Sequence, residues 1–115
     1  MTLELKDKKI TISGSAGALM DTIEEILAKE GARVGQLKMF DASILVSTRT
    51  TTVRIIPESL NDATTKKRKD IRSNTIIIYE NSDHGKIAEM VAFLMSPRSC
   101  AINGEIIYMK NLERS

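Results

Sequence analysis

Apolar residues along this 115-residue chain fall into runs of two kinds, and the order of those runs predicts the architecture. Lys9–Ser13 alternates polar and β-branched apolar residues, the pattern of a strand. A small-residue stretch follows, Ser13-Gly-Ser-Ala-Gly-Ala18. Then Leu19, Met20, Ile23, Ile26 and Leu27 recur at helical spacing, with Glu24, Glu25, Lys29 and Glu30 on the other face. Gly31 is placed to stop this helix in a left-handed conformation. Further strands are predicted over Arg33–Phe40 (weakened by Gly35), Ser43–Thr48, Thr51–Ile56, Asn74–Tyr79 and Gly104–Met109. Ser43–Thr48 has the short unbroken apolar run of a buried parallel strand. A second helix is predicted over 83–95, with Ile87, Met90, Val91 and Leu94 as its apolar stripe. Asp83 or Ser82 would cap it, and Pro97 would stop it. Asp62–Asp70 is polar and basic and reads as a short surface helix or a loop.

Strands alternate with helices at both ends, and their apolar runs are continuous. The expected fold is α/β: one domain over residues 1–115, with a small Rossmann-like, mostly parallel sheet and helices on its faces. Residues 41–80 are dense in strands, and short links there favour some antiparallel pairs.

Composition narrows the function classes. The chain is 42% hydrophobic and 28% charged, as in ordinary globular domains. No apolar run approaches the roughly 20 residues that cross a bilayer, so no membrane partner is expected. The amino terminus lacks an apolar signal segment, and one cysteine, Cys100, cannot form an internal disulfide. Both features fit a cytoplasmic location. Seventeen Lys/Arg against fifteen Asp/Glu leave a net charge of +2, too little for a global field that draws nucleic acid. Aromatics are few, which argues against a stacking platform for single strands.

Two stretches carry a family likeness. Residues 86–109 include Phe93-Leu-Met-Ser96 before a small-residue turn and then Ile102-Asn-Gly-Glu-Ile-Ile-Tyr-Met109. This resembles the last helix and strand of short-chain dehydrogenases/reductases. Residues 8–34, ending in Ala28-Lys-Glu-Gly-Ala-Arg-Val34, resemble the first strand and helix of that family. The likeness is weaker over 41–70. It implies NAD or NADP at the first strand–helix turn, where the family carries T-G-x-x-x-G-x-G. The turn here runs Ser13, Gly14, Ser15, Ala16, Gly17, Ala18: Ser13 and Gly14 fit the first two positions, Ala18 stands at the second glycine with Gly17 one place early, and Met20 stands at the third glycine. Lys38 falls where the family reads the ribose, and would favour the phosphorylated cofactor.

The chemistry of that family needs a Ser and a Tyr-x-x-x-Lys pair on one helix face, so that the lysine lowers the tyrosine pKa. No such spacing exists: Tyr79 precedes Lys86 by seven residues and Tyr108 precedes Lys110 by two. The resemblance therefore implies a non-catalytic domain that binds NAD(P) or another small nucleotide weakly or not at all. It also implies a homo-oligomer, because the family associates through its last helix and strand. Ile106, Tyr108 and Met109 on an edge strand would then need cover. Two other readings stay open: a partial oxidoreductase completed by another chain, and a nucleic-acid or protein contact through Lys66–Lys69. His84 reads as an exposed first-turn residue and Cys100 as buried packing, and one His and one Cys sixteen residues apart give no metal-ligand spacing.

Overall fold

The computed structural model describes residues 4–15, 17–39, 43–60, 71–80 and 82–110. The stretch Asp62–Asp70, with its basic run Lys66–Lys69, lies outside the described residues. Six strands form one sheet: β1 (Lys9–Gly14), β2 (Arg33–Lys38), β3 (Ile44–Ser47), β4 (Thr51–Pro57), β5 (Arg72–Ile78) and β6 (Ile106–Met109). Helix α1 (Ala18–Lys29) links β1 to β2, and α2 (His84–Met95) links β5 to β6. The spatial order is β2-β1-β3-β4-β5-β6.

Each element forms for a local reason. Residues Leu19, Met20, Ile23 and Leu27 give α1 one buried stripe. Its end is a Schellman motif: the Ala32 N–H donates to the Leu27 carbonyl at 3.1 Å and the Gly31 N–H to Ala28 at 2.9 Å. Gly31 makes this possible at φ +88°, with Lys6 packed where a side chain would begin. At the start of α2, the Asp83 carboxylate accepts the Lys86 N–H at 3.1 Å, so Asp83 is the cap. Ser82 has another role: its hydroxyl donates to the Met109 carbonyl at 2.7 Å and accepts the Tyr79 N–H at 2.8 Å, tying β5 to β6. The Arg72 guanidinium donates to the Leu94 and Ser96 carbonyls and closes the far end of α2.

Register fixes which residues share a face. Ile12 pairs with Val46, Val46 with Val53, and Ile55 with Ile76. These side chains form one core with Met20, Ile23 and Leu27 of α1 and Ile87, Val91 and Leu94 of α2. A fully buried aliphatic side chain contributes roughly 1.5–3 kcal/mol, so this layer outweighs any single cap. Both helices therefore cover the same face and pack on each other, with Ile26 and Ala92 lining the groove between them.

The expectation of a small Rossmann-like, mostly parallel sheet with helices on its faces is corrected here. The sheet is mixed, because β3 runs against the other five strands and pairs antiparallel with both β1 and β4. The run Ser43–Thr48 is thus not a parallel strand. The link Thr48–Thr50 is too short for a crossover, and Thr48 closes a tight hairpin by accepting the Thr51 N–H at 3.1 Å. Winding differs too. From β1 the chain steps outward to β2, and from β5 it steps the opposite way to β6, with both helices on one face. The two β-α-β units must then have opposite hands, whereas about 98% of such crossovers are right-handed. A doubly wound sheet avoids this by placing its two sets of helices on opposite faces.

Two further expectations shift. Cys100 is exposed rather than buried. Strand β6 begins at Ile106, because Gly104 and Glu105 are held by the 102–105 return: the buried Asn74 donates to the Ile102 carbonyl and accepts the Glu105 N–H, both at 3.1 Å. No helix among the described residues is long and apolar enough to cross a membrane.

Asn74 satisfies two backbone groups at once, and Asp83 only one at an exposed helix end. Asn74→Ala should lower unfolding free energy by about 2 kcal/mol or more, and Asp83→Ala by about 1 kcal/mol. Urea denaturation of the two variants checks this order.

Candidate functional site

Five of the six strands point the same way, so Gly14, Lys38, Pro57, Ile78 and Met109 end at one edge of the sheet. In open α/β sheets a ligand sits beyond this edge, in the crevice where the strand order reverses. That reversal lies between β1 and β4, and β3 occupies it.

Gly14 shows how. Its φ is +152°, a conformation that L side chains rarely adopt. A Cβ built there would lie 2.8 Å from the Ser43 carbonyl oxygen and 3.2 Å from Ile44 Cα. The space beside this first glycine of the turn is filled by the protein's own backbone at the entry to β3.

The remaining expected residues are spread around this turn. Gly17 is the N-cap of α1 in an extended conformation, and no side chain caps the helix there. Nothing lies within 4 Å of a Cβ built on Gly17. Ala18 is exposed in the first turn, where its carbonyl accepts the Thr22 hydroxyl at 2.8 Å. Ser15 is exposed, and its hydroxyl donates to the Met39 carbonyl at 3.5 Å. Lys38 is exposed at the end of edge strand β2. Met20, which replaces the third glycine of the family pattern, is fully buried in the core.

Ser13 belongs elsewhere. It alternates with Ile12 along β1, so it faces away from the helices. There it lines a cavity of about 300 Å³ together with Gly14, Met39, Ser43, Leu45 and Arg54. The six expected residues thus divide: Ser13 and Gly14 border this cavity, Gly17 and Ala18 stand at the start of α1, and Ser15 and Lys38 are exposed on the turn and at the end of β2.

Sequence reasoning missed Arg54. The signal was available: in Thr51-Thr-Val-Arg-Ile-Ile-Pro57, strand alternation separates Arg54 from Val53 and Ile55 and turns it to the face opposite the core.

Two other concavities open at the same edge. One, about 350 Å³, lies between α2 and β6 and is lined by Asp83, Lys86, Met90, Tyr108 and Lys110 among others. The other, about 340 Å³, lies at the ends of β4 and β5 and carries Glu58 and Glu80. The Lys110 ammonium sits 5.9 Å from the Tyr79 ring centre, a cation–π distance. His84 is exposed in the first turn of α2, as its position suggested. Among the described residues no three His, Cys, Asp or Glu side chains gather to hold a metal.

No family model, curated protein or solved structure matches this chain. The likeness to short-chain dehydrogenases/reductases is neither supported nor opposed by these comparisons.

Gly14 and Gly17 separate structural from ligand-binding roles. Gly14→Ala should destabilise the protein by about 2 kcal/mol or more, through strain and overlap with Ser43. Gly17→Ala should cost under about 1 kcal/mol, as a cap exchange. Thermal unfolding without any ligand tests both values.

Proposed function

We propose that this chain is a non-catalytic α/β domain that associates with a second copy of itself through β6, with NAD(P) bound weakly or not at all. The observation that carries this reading is the outer edge of β6. The strand is last in the sheet, and Tyr108 on it is 57% exposed. Ile106, Ile107 and Met109 are only half-buried.

The backbone of β6 favours a partner strand. Its pairing with β5 is parallel, and the Glu105 carbonyl accepts the Thr75 N–H at 2.9 Å. Parallel ladders use alternate residues, so Ile106 and Tyr108 aim their N–H and C=O groups outward. An antiparallel copy related by a two-fold axis at Ile107 sets Ile106 opposite the partner's Tyr108, and Tyr108 opposite the partner's Ile106. Each such aromatic–β-branched pair adds roughly 0.2–1 kcal/mol beyond the backbone bonds. That axis stands normal to the sheet, so the helices of both copies stay on one face.

The other edge supports pairing less well. Strand β2 carries Arg33, Gly35 and Lys38, and charged residues and glycine discourage edge pairing. The described β6 strand, Ile106–Met109, bears no charge.

Sedimentation equilibrium at micromolar concentrations should find a dimer. Tyr108→Lys should weaken it by about tenfold or more, equivalent to about 1.4 kcal/mol, with little loss of monomer stability because Tyr108 is exposed. Leu37→Lys on β2 should leave the dimer intact. A strictly monomeric wild-type protein would sink the proposal.

A further inference from the structure

The face of the sheet opposite the helices has a one-sided charge. Register assigns to it Lys9, Thr11 and Ser13 of β1, Arg33 and Leu37 of β2, and Leu45 and Ser47 of β3. It continues through Thr52, Arg54 and Ile56 of β4, Ser73, Thr75 and Ile77 of β5, and Ile106 and Tyr108 of β6, with Ile56, Thr75 and Ile77 buried. The charged strand residues on this face are Lys9, Arg33 and Arg54, and among the described strand positions there is no acid. The acids of α1 (Asp21, Glu24 and Glu25) stand on the other side of the sheet.

Arg54 is the centre of this arrangement. One row of the sheet reads Leu37, Ser13, Leu45, Arg54 across β2, β1, β3 and β4. Neighbouring strands lie about 4.8 Å apart, so Ser13 and Arg54 flank Leu45 with roughly 10 Å between their backbones. Both line the same cavity of about 300 Å³. Arg54 is exposed and makes no ion pair or hydrogen bond among the described residues. Among the described residues, the fork of donors on its guanidinium meets no acceptor. The floor and wall are apolar: Leu45 is 38% and Met39 51% exposed.

We infer that this cavity binds a small organic anion. The charged head, a carboxylate or phosphate ester, is held by the Arg54 fork and the Ser13 hydroxyl, and a short apolar body lies on Leu45 and Met39. A guanidinium takes either head in two parallel hydrogen bonds, which an ammonium cannot reproduce. The volume, at the lower end for ligand sites, limits the body to a few carbons. The site differs from a dinucleotide site at the start of α1, because it uses the face opposite α1 and α2. Its lining comes from β1, β3, β4 and the β2–β3 link, with Arg54 two strands from β6, so it shares no residue with the self-association edge and is tested independently of it.

The test is a titration of the full chain with hexanoate, hexyl phosphate and hexanol, followed by amide chemical shifts. Saturable shifts centred on Ser13, Leu45 and Arg54 are expected with the two anions at millimolar concentration, and about tenfold weaker binding with hexanol. Stronger binding of hexyl phosphate would assign a phosphate ester, and stronger binding of hexanoate a carboxylate. Arg54→Gln should weaken both anions by about tenfold, and Arg54→Lys by less, with the unfolding midpoint of each variant near that of the wild type. Equal binding of hexanol, unchanged anion affinity in a folded Arg54→Gln, or no saturation with either anion overturns the inference.

Discussion

The packing of α1 against α2 governs the rest of this molecule. Both helices need cover for an apolar stripe, and they share one layer above Ile12, Val46, Val53, Ile55 and Ile76. Placing both on one face gathers most of the buried apolar side chains into one cluster, while Ile56 and Ile77 are buried outside it. It also has two geometric consequences. The β-α-β units at the two ends must wind with opposite hands, and neither α1 nor α2 covers the second face of the sheet. A crevice of the doubly wound type needs helices on both sides, so none forms here.

The antiparallel strand β3 completes this arrangement. It fills the place where the strand order reverses, and it enters over Gly14 at a distance no side chain would permit. A glycine in a strand–turn–helix segment is commonly read as room for a phosphate. Here the room is taken by Ser43 and Ile44. Gly14 serves close packing of the chain on itself. The cavity beside it lies on the face opposite α1 and α2, where Arg54 and Ser13 flank Leu45.

Local structure was largely legible in the sequence, because it depends on near neighbours. The helical spacing of Leu19, Met20, Ile23 and Leu27 marked α1, Gly31 marked its end, and Asp83 marked the start of α2. The direction of β3 was harder to read. Ile44-Leu-Val46 is apolar in either orientation, and only the brevity of Thr48–Thr50 hinted at a hairpin. The choice of face for each helix was not legible at all. An apolar stripe shows that a helix is covered, not which side of a sheet covers it. The site suffered from the same gap. Ser13 and Gly14 were found by their place in a turn, yet their partner Arg54 comes from a strand two places away in the sheet. That neighbourhood exists only once β3 is inserted between them.

The most direct test of this account is the contact between the helices in solution. Methyl–methyl nuclear Overhauser effects between Ile26 and Ala92, which line the groove between α1 and α2, should be present at low protein concentration. Methyls of α2 should also show contacts to Ile76, which shares the core with them, and none to Ile77, which alternates to the other face. Absence of the Ile26–Ala92 contact, together with contacts from α2 to Ile77, would place the helices on opposite faces and contradict the account.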